Sequence, residues 1–162
     1  MGATSAWIFC KRSLVSALFR LENCILVDAK AVAIKARVPV AQNMAVLGAA
    51  TPFLPFELSD FAPFVTRLFE EKGENIVNAN LLALEMGCKL GQFSKELLAH
   101  KVPGALVYLL VSKFDPATVD PALAPRFANA LLADPQAAEA RLASMQEAQP
   151  CTAETLERLA AG

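Results

Sequence analysis

The sequence predicts a mostly helical protein that carries one partial α/β element. Three observations lead to this fold class. An uninterrupted apolar run at Cys24–Val27, ending in Asp28, is typical of a strand buried on both faces. Two segments with apolar residues at helical spacing, Leu58–Glu71 and Glu74–Met86, are joined by a short turn. Asp-Pro steps, which favour helix starts, divide residues 92–162.

The composition argues against several classes of protein. A chain of 162 residues, with 55% hydrophobic and 19% charged residues, has enough apolar side chains to fold around a core. Its net charge of −1 offers no general attraction to nucleic acid or to anionic lipid. The longest apolar run, Ala105–Val111, is far shorter than the roughly 20 residues of a spanning helix. Lys11 and Arg12 follow the first apolar stretch, whereas a secretory signal carries its charges first, so we expect a cytoplasmic protein.

The N-terminal third is predicted to alternate helix, strand and helix. Residues 1–22 contain a helix over Ser13–Leu21, whose leucines share one face. The strand Cys24–Val27 comes next. A helix over Ala29–Arg37 then ends before Pro39, because the residue preceding a proline disfavours helical geometry.

A short helix is predicted to begin at Asn43 and to end before Pro52. Asn43 suits the N-cap, since its side-chain oxygen can accept a free N–H of the first turn. Gly48 lies inside this helix, where Gly costs about 1 kcal/mol relative to Ala. A glycine at such a position indicates that another backbone comes close.

The next two helices are predicted to form an antiparallel hairpin, because Lys72 and Gly73 make only a short connection. Ser59 or Asp60 caps the first helix, and Gly87 is expected to end the second in the left-handed conformation. The buried stripe of the first helix is predicted to consist of Leu58, Phe61, Val65, Leu68 and Phe69.

Residues 92–162 are predicted to be a helical extension. Asp115, Asp120 and Asp134 each precede a proline and are expected to cap the turn or helix that follows. Thr152 is expected to cap Ala153–Ala161 in the same way. The apolar run Ala105–Val111 fits either a strand or a buried helix.

Few residues are candidates for chemistry. Asp28 is either a ligand or base at the end of a strand, or the cap of the next helix. Asn78 and Asn80 are candidates for hydrogen bonds across a subunit contact. The structural alternative is that Asn78 is solvated and that Asn80 bonds to backbone. His100, the single histidine, lies late in a helix with no nucleophile pattern around it. The sequence therefore predicts no catalytic residue and no metal ligand in this chain.

The cysteines and phenylalanines favour structural roles. No C-x-x-C pattern is present, so the cysteines are interpreted as buried free thiols. One group of phenylalanines is interpreted as core or interface rather than as a stacking platform, because basic residues do not alternate with it. The cysteines are Cys10, Cys24, Cys88 and Cys151, and the phenylalanines are Phe53, Phe56, Phe61, Phe64 and Phe69.

Three segments in a fixed order resemble the gamma subunit or gamma domain of the 2-oxoacid:ferredoxin oxidoreductases, the pyruvate, ketoisovalerate and indolepyruvate group. They are Ile25-Leu26-Val27-Asp28-Ala29, Asn43-Met44-x-x-Leu47-Gly48 and Asn80-Leu81-x-Ala83-Leu84-Glu85-x-Gly87. The resemblance divides the chain into an N-terminal segment (1–22), the C-terminal part of a gamma-type domain (23–91) and an extension (92–162). It implies an α/β fold, in which a glycine-rich segment and further strands precede the stretch that matches here. Residues 1–22 are too short to supply them. We therefore expect a truncated or divergent member.

The resemblance also implies a function. The family oxidatively decarboxylates a 2-oxoacid to an acyl-CoA, with coenzyme A as co-substrate and ferredoxin as electron acceptor. Thiamine diphosphate, magnesium and iron–sulfur clusters are expected in partner subunits, and this chain is expected to carry none of them. Asp28 and Asn43 are its candidate cofactor-facing residues. Two alternatives stay open: a helical protein-interaction module without enzymatic activity, and a small-molecule binder lined by the phenylalanines.

Overall fold

The computed structural model describes residues 17–18 and 24–161, and most of these residues are helical. The predicted mostly helical fold is thus confirmed. Short 3₁₀ turns connect some of the helices, at Thr51–Phe53, Glu70–Lys72, Pro116–Thr118 and Pro121–Leu123. The α-helices from Ala29 onwards are α1 (Ala29–Lys35), α2 (Gln42–Ala50), α3 (Leu58–Phe69), α4 (Glu74–Ala99), α5 (Gly104–Val111), α6 (Ala124–Ala133), α7 (Pro135–Ser144) and α8 (Ala153–Ala160).

The predicted buried strand over Cys24–Val27 is wrong. These residues are irregular, and their side chains are half-buried rather than enclosed on both faces. A strand needs a neighbour to complete its ladder of hydrogen bonds. Within the described residues the β-type pairing is a single isolated bridge between Phe114 and Gln149. Of the predicted helix Ser13–Leu21, positions 17 and 18 are helical and the rest lies outside the described residues.

Helix α1 begins at Ala29 as predicted, and it ends at Lys35, two residues before the predicted end at Arg37. The Asp28 carboxylate accepts the Ala31 N–H at 2.9 Å and so caps the helix. Just after the helix, Arg37 adopts a positive φ of 64°. The Val38 N–H then donates a hydrogen bond to the Ala33 carbonyl at 3.1 Å, which satisfies one of the last helix carbonyls.

Helix α4 is longer than predicted, and the prediction that Gly87 ends it is wrong. The helix continues without a break from Glu74 to Ala99. The apolar periodicity extends past Gly87 through Leu90, Phe93 and Leu97, all of which are buried, so that burial continues to stabilise the helix there. Residues 91 and 92, where the sequence suggested a boundary between segments, are consecutive residues of this helix.

One hydrophobic core joins the two ends of the described chain. It extends from Val32 in α1 to Leu159 in α8. At its centre three rings pack edge to face: Phe93 lies 5.7 Å from Phe114 and 5.8 Å from Phe127, and the last two are 5.3 Å apart, centroid to centroid. The described residues 24–91 and 92–161 therefore share this core.

The predicted caps of the C-terminal part are confirmed. Asp115, Asp120 and Asp134 each accept a backbone N–H two or three residues further on, at 3.0 Å. Thr152 accepts the Thr155 N–H at 3.4 Å at the start of α8. The run Ala105–Val111, which fitted a strand or a helix, is helical in α5.

Candidate functional site

Two of the three segments that carry the family resemblance pack against each other. Gly48 of α2 lies against the backbone of α4: a Cβ there would come within 2.9 Å of the Cys88 nitrogen and closer still to the Leu84 carbonyl oxygen. Gly87 lies against the backbone of Ala45, where an added Cβ would clash with the carbonyl group. The predicted close approach at Gly48 is confirmed, and the role of Gly87 is the reciprocal one.

A third glycine extends this contact along α4. Gly91, one turn after Gly87, lies against the backbone of Ala49, and an added Cβ would be 3.0 Å from the Ala49 Cα. Small residues on both helices let the two backbones approach more closely than side-chain packing allows. The sequence contained a signal for this contact in the four-residue spacing of Gly87 and Gly91, which the predicted helix end at Gly87 obscured.

Asn43 does not cap α2. The helix begins at Gln42, with Ala41 at the N-cap and no side-chain cap hydrogen bond. A turn ending in a hydrogen bond from the Ala41 N–H to the Val38 carbonyl, at 2.8 Å, brings the chain into the helix earlier than predicted. The Asn43 side chain lies in the first turn and is exposed to solvent. It is therefore free of a capping role and open to an external contact.

Asp28 combines its capping role with a position at the edge of a cleft. The cleft has a volume of about 440 Å³ and lies between α1, α5 and the segment after α5. Leu26, Leu90 and Phe114 contribute apolar surface to it, and Asn43 does not line it. The structure therefore does not bring the two predicted candidates, Asp28 and Asn43, into one cleft.

Several polar groups of this cleft have structural partners. Lys35 Nζ lies 2.6 Å from Asp115 Oδ2, while Asp115 Oδ1 accepts the Ala117 N–H at 3.0 Å. This ion pair joins α1 to the turn after α5. Ser112 donates its hydroxyl to the Leu109 carbonyl at 2.8 Å. The arrangement fixes elements of the fold relative to one another and presents no paired nucleophile and base.

Comparison of the chain with protein-family models, with curated proteins and with solved structures gave no match. The gamma-type resemblance therefore stays a prediction from the three segments quoted above.

The second notable feature is an apolar surface on and before α3, which we call the α3 face. It consists of large apolar side chains that are substantially exposed, and Phe64 and Leu68 are the most open at 73% and 66%. Val65, by contrast, is buried where α3 contacts α4. Leu68 was predicted to belong to the buried stripe, and this prediction is wrong because Leu68 is largely exposed. The other predicted members are buried, as Val65 is, or partly buried, as Leu58, Phe61 and Phe69 are. The α3 face comprises Phe53, Leu54, Phe56, Phe64 and Leu68.

The α3 face is anchored at its edge. The Phe56 ring packs edge to face on Phe61 with centroids 5.8 Å apart. Lys95 of α4 donates to the Pro52 carbonyl at 2.6 Å, and its ammonium lies 5.5 Å from the centre of the Phe53 ring. The exposed rings are thus attached to ordered structure rather than to a loose loop. The sequence left core and interface open for the five phenylalanines. In the structure Phe53, Phe56 and Phe64 are exposed, whereas Phe61 and Phe69 are partly buried.

The remaining candidates have local partners or solvent exposure. Asn80 is buried and donates to the Ile76 carbonyl at 2.8 Å, as its structural interpretation predicted, and Asn78 is exposed. His100 ends α4, and its Nδ1 lies 2.9 Å from the Glu96 carbonyl oxygen and 3.5 Å from a Glu96 carboxylate oxygen. These contacts explain each residue through the fold.

Cys88 and Cys151 are buried free thiols, and burial is the main cause that raises the pKa of each above its ordinary value. Cys24 is a half-buried free thiol, and Cys10 lies outside the described residues. The described part of the chain contains no group of three or more potential metal ligands. No helix in that part is both long and apolar enough to cross a membrane.

Proposed function

We propose that this chain is a gamma-type, non-cofactor-carrying subunit of a 2-oxoacid:ferredoxin oxidoreductase complex that contributes assembly surface. The complex would oxidatively decarboxylate a 2-oxoacid to an acyl-CoA and pass the electrons to ferredoxin. Partner subunits would hold the thiamine diphosphate, magnesium and iron–sulfur clusters, with coenzyme A as co-substrate. The role of this chain is to bind those partners in a fixed arrangement.

The observation that carries the proposal is the α3 face, which lies within the segment that resembles the family. Phe64, Leu68 and Phe56 are 73%, 66% and 55% exposed. Phe64 and Leu68 are four residues apart on α3, and Phe56 packs on Phe61 of the same helix. Monomeric proteins rarely expose several large apolar side chains together, and where they do, the surface often binds another protein. Large aromatic side chains also supply much of the binding energy at interfaces.

A second observation supports the family assignment. The segments Asn43–Gly48 and Asn80–Gly87, identified from their order in the sequence, meet at the contact between Gly48 and Gly87. Glycines that recur in a family's motifs are explained when they allow two backbones to touch. The same contact holds α2 against α4, the helix on which α3 packs.

The test is affinity purification of the full chain from its host without oxygen, followed by identification of the proteins that co-purify. We expect thiamine-binding and cluster-binding subunits, together with 2-oxoacid-dependent reduction of ferredoxin by the eluate. The double variant Phe64→Ser/Leu68→Ser should lose these partners. Val40→Ser, which removes an 85% exposed apolar side chain outside the α3 face, is the matched control and should retain them. Consistent absence of thiamine-binding subunits from the purified complex would contradict the proposal.

A helical interaction module without a role in an enzyme is the second candidate. The all-helical structure of residues 24–161 favours it, because the family resemblance implied a strand at Cys24–Val27 that the structure lacks. The same purification distinguishes the two functions. Partners that depend on the α3 face but neither bind thiamine diphosphate nor reduce ferredoxin would favour the module.

A further inference from the structure

We propose that the α3 face binds an amphipathic helix of a partner protein whose apolar residues are flanked by Lys or Arg. This inference deepens the proposed function and rests on it for the partner's identity. The chemistry of the partner is argued from the charges around the α3 face alone.

The apolar row on α3 has a carboxylate at each end. Phe64 and Leu68 are four residues apart and therefore lie on one side of the helix. Asp60 lies four residues before Phe64, and Glu71 lies three residues after Leu68. Both carboxylates are exposed. Asp60 Oδ2 also accepts the Glu57 N–H at 2.8 Å, and Glu71 lies in the 3₁₀ turn that directly follows α3. The order along the chain is therefore acidic, apolar, apolar, acidic.

The wider surroundings are acidic as well. Residues 56–74 contain five acidic residues and two basic ones, a net charge of −3 in a chain whose total is −1. Lys95 of α4, whose ammonium lies beside the Phe53 ring, brings the charge around the α3 face to −2. Among the described residues, no ion pair involves Glu70, Glu71 or Glu74. Arg67 lies on the same helix and reduces the acidic character without cancelling it. A surface with this charge attracts basic partners and repels a second copy of itself.

The spacing of the two carboxylates defines the partner further. Asp60 lies in the first turn of α3 and Glu71 just beyond its C-terminal end, so the two carboxylates bracket the length of the helix. Eleven residues of a continuous α-helix would span about 16 Å. A partner helix lying along α3 would match them with basic residues about eleven positions apart and apolar residues between. Helices that place an apolar stripe on an exposed apolar surface are a common recognition mode. Complementary charges at the edges give such contacts their orientation and specificity.

The probe is a fluorescently labelled 18-residue peptide with Leu at positions i, i+3, i+4 and i+7 and Lys at its polar positions. A matched peptide carries Glu in place of Lys. Fluorescence anisotropy against the full wild-type chain at low ionic strength should give at least tenfold tighter binding of the Lys peptide. Raising the salt concentration should reduce this preference, since the flanking charges are exposed.

Three variants separate the apolar contribution from the charged one. Phe64→Ser/Leu68→Ser should weaken binding of the Lys peptide at least tenfold, although all the carboxylates remain. Asp60→Asn/Glu71→Lys should reduce the preference for the Lys peptide at least fivefold, although the apolar row remains. Val40→Ser should bind as the wild type does. Circular dichroism should show unchanged helix content in each variant.

Several results would overturn the inference. They are equal binding of the two peptides, absence of binding to the wild type, and binding that survives Phe64→Ser/Leu68→Ser. A wild-type chain that sediments as a dimer and becomes monomeric in that variant would assign the α3 face to a second copy instead. The assay uses no oxidoreductase subunit, so its failure is distinguishable from failure to recover such subunits in the purification. The latter would leave the partner's chemistry standing while removing the proposed enzyme.

Discussion

Replacing Gly48 by Ala tests whether α2 and α4 truly meet backbone to backbone. In a helix exposed to solvent this substitution would stabilise the protein by about 1 kcal/mol, because Ala has the higher helix propensity. Here the added Cβ would lie within 2.9 Å of the Leu84 carbonyl carbon and of the Cys88 nitrogen, with the carbonyl oxygen closer still. Overpacking typically costs about 1–3 kcal/mol, and a contact with helix backbone can relax only if a whole helix moves. Because the contact here is with helix backbone, we expect the upper end of that cost, about 3 kcal/mol. Subtracting the gain of about 1 kcal/mol in helix propensity leaves a net loss of about 2 kcal/mol.

The assay is urea denaturation followed by circular dichroism, with thermal unfolding as a second measurement. A loss of about 2 kcal/mol corresponds to a decrease in Tm of roughly 4–8 °C for a chain of this size. The m-value should not change, because the surface exposed on unfolding is the same. A Gly48→Ala variant as stable as the wild type, or more stable, would refute the close approach.

A double substitution distinguishes backbone contact from side-chain contact. Gly87→Ala should also destabilise, since its Cβ would meet the carbonyl group of Ala45. Adding Ala45→Gly removes the Ala45 methyl but leaves the carbonyl in place. The double variant should therefore recover no stability relative to Gly87→Ala. Recovery would show that the methyl group, and not the backbone, limits the approach of the helices.

Further predictions concern the core and its polar groups. Phe127→Ala should cost about 3–5 kcal/mol in urea denaturation, because this fully buried ring packs on two others, and a loss below about 1 kcal/mol would contradict that packing. Ser94→Ala should stabilise by about 1 kcal/mol, since the buried Ser94 hydroxyl has no hydrogen-bond partner within the described residues, and destabilisation would indicate a partner. Cys88 and Cys151 should react with a thiol reagent at pH 8 far more slowly than Cys24 until urea unfolds the chain. Because burial raises the pKa of both thiols above 9.0, the folded chain holds these protons more tightly than the unfolded chain. Stability should therefore be fully present below pH 9 and decrease as the pH rises above it, whereas a constant stability there would argue against their burial.

Local signals in the sequence predicted four caps made by an aspartate, but not the cap of α3, which was predicted at Ser59 or Asp60. Its N-cap is Glu57, and Asp60 accepts the Glu57 N–H from inside the first turn. Asp28, Asp115, Asp120 and Asp134 each accept a backbone N–H as expected. The chemistry of these caps involves residues two or three positions apart, so a short segment contains the whole interaction. At α2, where Ala41 holds the N-cap without a side-chain bond, the prediction placed the start at Asn43 and was wrong.

Predictions that depended on distant residues were less accurate. The apolar run Cys24–Val27 has the composition of a buried strand, but a strand exists only where another strand pairs with it. Glycine is the residue type that most often ends a helix, but Gly87 lies inside α4 and allows the backbone of Ala45 in α2 to come close. The ion pair between Lys35 and Asp115 joins residues 80 positions apart and had no signal in the sequence. In each case the deciding partner is remote in the chain.

Residues 42–69 combine two features: the glycine contact between α2 and α4, and the exposed apolar side chains of α3. The glycine contacts hold α2 directly on α4, which brings α2 against one side of that helix with little side-chain volume between them. Helix α3 packs on α4 and buries Val65, but Phe64 and Leu68 stay largely in water. Further burial of these two side chains would stabilise the fold by an amount that scales with apolar area. Their exposure on a well-packed helix therefore favours a surface retained for a partner, and the carboxylates of Asp60 and Glu71 at its ends favour a basic one.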